Sequence, residues 1–182
     1  MTDVIEREIK VKLNVDPQSL MEKLLQDGYV YVGKETQEDI YLNGDTRDFR
    51  KTDEALRIRL VNDKIELTYK GPKMGSRSKS REEITVSLDD KDSMIRILEK
   101  LGYREAQSVR KTRHVLKKGE FSVCIDIVEG LGNFVEIEGI DIDEEKLLDF
   151  FKEFKSRFGI SGEVITKSYL ELKVEKLASS SN

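Results

Sequence analysis

Most of this chain repeats one pattern, a short run in which charged and apolar residues alternate. The first is Ile5-Glu6-Arg7-Glu8-Ile9-Lys10-Val11-Lys12-Leu13. Glu6, Glu8, Lys10 and Lys12 share one parity, and Ile5, Arg7, Ile9, Val11 and Leu13 share the other. A period of two belongs to a strand, whose successive side chains point to opposite faces. The alternation returns in Gln37–Leu42, Ala55–Leu60, Ile65–Lys70, around Arg81–Thr85, in Val109–Leu116, in Phe121–Val128 and in Phe134–Glu138. Taken together, the charged parity carries the acids Glu6, Glu8, Glu83, Asp126, Glu136 and Glu138. It also carries the bases Lys10, Lys12, Arg57, Arg59, Lys70, Arg81, Lys111 and Arg113. Any one pair, such as Arg57 and Arg59, could be a solvated outer face. So many segments with the same habit point instead to a sheet closed on itself, with charges inward and the apolar side covered by helices.

Charges buried without partners are costly, so such an interior is wet or holds a charged ligand. Bases outnumber acids on these faces, although the chain as a whole has net charge −4. That inversion points to a bound polyanion, and carboxylates beside it point to a hard divalent cation, Mg²⁺ or Mn²⁺. The bulk charge argues against nucleic acid as a partner. Charged residues make up 37% of the chain, against about a quarter in ordinary proteins, which again suggests a charged cavity. A single cysteine, Cys124, excludes an internal disulfide, and a single histidine, His114, excludes a multi-histidine metal site. No long apolar run or signal-like segment is present, so a cytoplasmic protein with no membrane partner is expected.

Three helices separate the strands. Asp16-Pro17 caps and starts the first, whose stripe is Leu20, Met21, Leu24 and Leu25 and whose stop is Gly28. Asp90 or Asp92 starts the second, which ends at Gly102, and Glu144 to Phe158 form the third. Asn43–Glu54 reads as a loop, and Gly71–Ser80 as a mobile one. The echo of Gly28-Tyr29 in Gly102-Tyr103 suggests two similar halves in one unit. A single domain over 1–175 is expected, followed by a disordered tail at 176–182.

The ordered set Glu6-x-Glu8-x-Lys10, Gln37-x-Asp39-x-Tyr41-Leu42, Leu56-Arg57-Ile58-Arg59, Lys70-Gly71-Pro72, Arg81-x-Glu83, Lys111-x-Arg113 and Asp126-x-x-x-Gly130-Leu131-Gly132-x-Phe134-x-Glu136-Ile137-Glu138 resembles the CYTH superfamily, the triphosphate tunnel metalloenzymes. The likeness covers about residues 4 to 172 and is nearest in look to class IV adenylyl cyclases. It implies an α+β fold, a closed eight-stranded antiparallel barrel with helices outside. It implies metal ligation by Glu6, Glu8 and Glu136, with Asp126 and Glu138 as further candidates. Lys10, Lys12, Arg57, Arg59, Lys70, Arg81, Lys111 and Arg113 would bind phosphates, and Glu6, Glu8, Lys10, Lys111 and Arg113 form the expected catalytic set. Glu83 could be a ligand or a partner of Arg81. The implied reaction converts ATP to 3′,5′-cyclic AMP and pyrophosphate. Hydrolysis of tripolyphosphate, thiamine triphosphate or a nucleotide is the alternative, and a non-catalytic polyphosphate-binding module is the third. The resemblance also allows a homodimer.

Overall fold

A computed structural model describes residues 2–74 and 79–180. The alternating segments become strands β1 (Thr2–Lys12), β2 (Val30–Gly44), β3 (Ala55–Val61), β4 (Lys64–Lys70), β5 (Lys79–Leu88), β6 (Tyr103–Lys118), β7 (Phe121–Val128) and β8 (Gly132–Ile140). All pair antiparallel, in the order β5-β4-β3-β2-β6-β7-β8-β1, and β1 returns to β5 to close an eight-stranded barrel. β1 completes the circle by dividing one edge. Its first half, up to Glu8, pairs with β5, while Lys10 and Val11 pair with the two-residue strand β9 (Val164–Ile165).

Helices cover the apolar parity. Asp16 caps α1 (Pro17–Gln26) by accepting from the Ser19 amide at 2.8 Å, and proline occupies the first turn, where no amide is needed. Asp90 caps α3 (Lys91–Lys100), and Asp143 caps α4 (Glu144–Phe158), which ends on Gly159 in the left-handed region at φ 68°. α1 and α4 bury Leu20, Leu24, Leu147, Phe151, Phe154 and Phe158 against Ile9, Val11, Val123, Ile125, Val135 and Ile137 of β1, β7 and β8. Each such side chain withdrawn from water contributes about 1.5–3 kcal/mol. A smaller cluster packs Ile95 and Leu98 of α3 on Ile40, Leu42 and Ile58.

Two loop expectations are corrected. Asn43–Glu54 contains a short helix, α2 (Phe49–Thr52), capped by Asp48. The tail does not begin at residue 176, because α5 (Tyr169–Ser180) runs through it, and only 181–182 lie outside the described residues. The Gly71–Ser80 segment falls partly outside as well, at 75–78. Its flanks are paired, with the Gly71 amide on the Glu82 carbonyl at 2.9 Å and the Met74 amide on the Ser80 carbonyl at 2.7 Å. Among the described residues no helix is long and apolar enough to cross a membrane.

Candidate active site

The charged parity faces a cavity of about 580 Å³ inside the barrel. Of the residues named from sequence, Glu6, Glu8, Lys10, Arg57, Arg59, Lys70, Arg81, Glu83, Lys111, Arg113, Glu136 and Glu138 line it. Lys12 does not. It lies one step beyond the charged interior, exposed and beside Gly132, because at that level the barrel is filled by Phe134 and by Tyr169 of α5.

Strand register decides which acids meet. Glu8 on β1 stands opposite Glu138 on β8, and Lys10 stands opposite Glu136. Glu6, Glu8 and Glu138 therefore bring carboxylate oxygens within 4.8 Å of one another. Three hard oxygen donors converging in this way fit Mg²⁺ or Mn²⁺, which keep water in their remaining positions. Burial raises the Glu138 carboxyl, and the neighbouring Glu6, Glu136 and Glu8 raise it further against the pull of Arg113. Such a site gains from a cation that relieves the crowding.

Glu136 and Asp126, also expected among the metal ligands, carry ion pairs, and Glu136 adjoins Glu8 and Glu138. Glu136 pairs with Lys10 at 3.0 Å and with Arg113. Burial and Glu8 push its carboxyl up, but Lys10, Arg113 and Lys111 outweigh them and hold it below the usual range. Asp126 is fully buried, takes both guanidinium arms of Arg113 at 2.7 Å, and accepts from the Tyr169 hydroxyl at 2.7 Å. These contacts satisfy Asp126 as a brace and leave it away from the carboxylate cluster.

The cations divide in the same way. Arg59 is held by both oxygens of Asp39 at 2.6 and 2.8 Å, and Lys111 reaches Asp39 at 3.3 Å. Lys70 pairs with Glu83, which also meets Glu6 of the carboxylate cluster, and Arg81 is held by Asp53 at 3.1 Å. Arg57 reaches Thr68 at 3.5 Å and lies in the field of Glu83 and Asp39. Among the described residues, the Nε groups of Arg57 and Arg81 are buried with no acceptor. Buried donors are normally satisfied, so two such guanidinium N–H groups on residues that line one cavity fit a site for an anion.

Cys124 donates to Glu138 at 3.6 Å, at the edge of the carboxylate cluster. Burial raises the Cys124 thiol well above its ordinary range despite Arg113, so it is a poor nucleophile. His114 sits on the outer face against the Tyr31 hydroxyl at 3.1 Å. Three interior residues carry no role in the sequence reading: Asp39, Asp53 and Tyr169. Tyr169 places its ring 4.0 Å from the Lys10 ammonium, and Lys10 also donates to the Lys167 carbonyl at 3.0 Å. A signal for Tyr169 does exist. Ser168-x-x-Glu171 is a capping box: the Glu171 amide donates to Ser168 at 3.2 Å and the Ser168 amide to Glu171 at 2.6 Å.

The chain is similar to known proteins over nearly its whole length. A relative from Methanocaldococcus jannaschii named "Putative adenylate cyclase" is 47% identical over 174 residues, 93% of this chain and 99% of the relative. A solved structure of a Pyrococcus horikoshii protein is 36% identical with a TM-score of 0.80, covering 94% of this chain and 99% of that one. A Hippeastrum protein assigned as an adenylyl cyclase, and described as having a dominant triphosphatase activity, shares the fold at a TM-score of 0.72. It is 22% identical and covers 91% of this chain and 93% of its own. The CYTH domain model matches residues 4–169. The closed barrel, its inward charges and these likenesses agree: the chain belongs to the CYTH domain family, whose members are adenylate cyclases and triphosphatases.

Proposed function

We propose that the barrel is a metal-dependent site for a triphosphate and that the reaction is of the class IV adenylyl cyclase type, ATP to 3′,5′-cyclic AMP and pyrophosphate. The observation that carries it is a juxtaposition in one cavity. Three clustered carboxylates, Glu6, Glu8 and Glu138, share it with Arg57 and Arg81, whose buried Nε groups have no acceptor among the described residues. The name of the 47% identical relative supports the cyclase label. Glu6, Glu8 and Glu138 would hold Mg²⁺ or Mn²⁺, which when bound neutralises phosphate charge and makes a nearby oxygen a better nucleophile. Arg57, Arg81 and Lys70 take the phosphate chain and balance the charge that gathers on departing pyrophosphate. Lys10, Lys111, Arg59 and Arg113, paired with acids as Lys70 and Arg81 also are, line the same cavity and complete the positive wall. The 3′-hydroxyl gives up its proton to solvent and its oxygen forms a bond to the α-phosphorus, while the bond from that phosphorus to the bridging oxygen breaks and pyrophosphate leaves with that electron pair.

Hydrolysis is the second reading, because water in place of the 3′-hydroxyl needs no further residue of this set. Products decide between them. Incubated with ATP and with tripolyphosphate under Mg²⁺ and under Mn²⁺, the protein should release cyclic AMP and pyrophosphate from ATP. Rapid orthophosphate from tripolyphosphate without any cyclic nucleotide would replace the cyclase with the triphosphatase. Metal-dependent binding with no turnover of either would leave a polyphosphate-binding module.

A further inference from the structure

One buried acid of the cavity stands apart from the carboxylate cluster. Asp39 is 2% exposed and lines the cavity, while the acids grouped for a metal ion among the described residues are Glu6, Glu8 and Glu138. Strand register puts Asp39 between cations of the two strands that flank β2. It stands opposite Arg59 of β3, and Lys111 of β6 stands opposite Gln37, two positions back along β2. Both oxygens of Asp39 accept from the Arg59 guanidinium, at 2.6 and 2.8 Å, and one also accepts from the Lys111 ammonium at 3.3 Å. Arg57 stands opposite Tyr41, two positions further on, and its charge also acts on Asp39. Burial raises the Asp39 carboxyl, but Arg59, Lys111 and Arg57 outweigh it and hold the group well below the usual range. One carboxylate therefore answers three cations.

Without a counter-ion these side chains would crowd like charge in a buried place, and Arg59 already pushes the Lys111 ammonium down. Asp39 lets the fold keep them together and charged. The same carboxylate is also a rival, because a phosphate chain that reaches Arg59 and Lys111 has to share their N–H groups with it. Its field subtracts as well from the pull that Arg57 exerts. Glu83 and Glu136 pair with cavity cations too, but both adjoin the carboxylate cluster, where a metal ion would draw on their charge. Asp39 lies outside that cluster. We propose that Asp39 is the internal counter-ion of the phosphate wall, a positioning residue that holds Arg59 and Lys111 in place and limits how tightly they grip a phosphate chain. A grip limited in this way lets a phosphate product leave after the reaction. The inference rests on the reading of the barrel as a triphosphate site and adds what sets its affinity.

The test reads the sign of an affinity change. Tripolyphosphate with methylene groups in place of its bridging oxygens is titrated calorimetrically into the full chain at neutral pH with excess Mg²⁺. Asp39→Asn keeps the shape and removes the charge. It should bind the analogue about tenfold more tightly, the worth of one charge-assisted hydrogen bond returned to the phosphate. Asp39→Glu keeps the charge and should stay within about threefold of the unaltered protein. A residue that only held the fold together would give weaker binding on losing its ion pairs. Asp39→Asn leaves Arg59 beside a neutral partner, so a second variant guards against loss of the fold: Asp39→Asn with Arg59→Gln removes the pair as a unit. That double variant still frees Lys111 and should bind about threefold more tightly than Arg59→Gln alone. Unchanged or weaker binding in Asp39→Asn, or a double variant no tighter than Arg59→Gln, overturns the counter-ion role and leaves the triphosphate site intact. Failure of the unaltered protein to bind the analogue overturns the triphosphate reading itself.

Discussion

Lys111 shows how far a single residue's chemistry depends on its surroundings. On sequence it is one more base at the inward parity. In the barrel, burial pushes its ammonium down to about 8, helped by Arg59 and Arg113, while Asp39 and Asp126 resist. The Tyr169 ring also faces it, 5.3 Å away. The unfolded chain holds this proton up to the ordinary lysine value near 10.4, so between about pH 8 and 10.4 the unfolded state binds more protons. Stability from this group therefore rises with pH across that window, opposite to the trend of a salt-bridged lysine. A bound phosphate chain adds its negative charge to that of Asp39 and Asp126 and reverses the shift. Binding above pH 8 should then take up a proton, with affinity falling by roughly tenfold for each pH unit. Calorimetry of tripolyphosphate binding at pH 9 in buffers of different ionisation enthalpy should show uptake of close to one proton. Lys111→Met should abolish that uptake, and uptake that persists in this variant would remove Lys111 from the phosphate wall. Other residues were less legible. The inward parity of Glu6, Glu8, Glu136 and Glu138 follows from alternation, because a period of two allows no other choice. Alternation says nothing about register between strands, and register alone groups Glu138 with Glu8 and sends Glu136 to Lys10. Lys12 shares the parity but lies past the level where aromatic side chains fill the barrel, a depth that no single strand encodes.

Among the elements, α1, α3 and α4 were legible because each carries an apolar stripe between a cap and a glycine. α2 and α5 were not. α2 is a single turn held by tertiary contacts, with Phe49 stacked on Tyr103. α5 sits in a serine-rich tail, and its first residue, Tyr169, is held inside the barrel end by Asp126 and Phe134. Its Ser168–Glu171 capping box and the Glu171–Lys73 ion pair fasten its start. Burial raises the Glu171 carboxyl, but the Ser168 amide and Lys73 outweigh it and hold the group near 2. Ser168→Ala removes one half of the box and should cost about 1 kcal/mol, a typical value for a lost cap. The melting temperature should drop by about 2–4 °C, in proportion to that loss for a chain of this length. A differential scanning trace checks this. An unchanged melting temperature would mean that α5 is held by Tyr169 alone.

At the scale of the whole molecule, closure of the barrel concentrates like charges that the unfolded chain keeps apart. Glu6, Glu8 and Glu138 meet only because β1 is shared between β5 and β8, and Arg57 and Arg81 approach the same cavity from β3 and β5. The fold therefore gathers carboxylates at one point, where Glu138 is crowded by like charge, and guanidinium groups at another, so a divalent cation suits the first and a phosphate chain the second. Neither cluster exists in the unfolded chain, so both ligands bind the native state selectively and must stabilise it. At a concentration one hundred times its dissociation constant, a ligand adds about 2.7 kcal/mol. Mg²⁺ with tripolyphosphate should raise the melting temperature by more than the sum of their separate effects, because each draws the other's charge into the cavity. Glu8→Gln should remove most of the excess, and Arg57→Ala should remove it with the carboxylates untouched. A strictly additive pair of shifts, or an excess that survives both substitutions, would mean that cation and phosphate do not share this cavity.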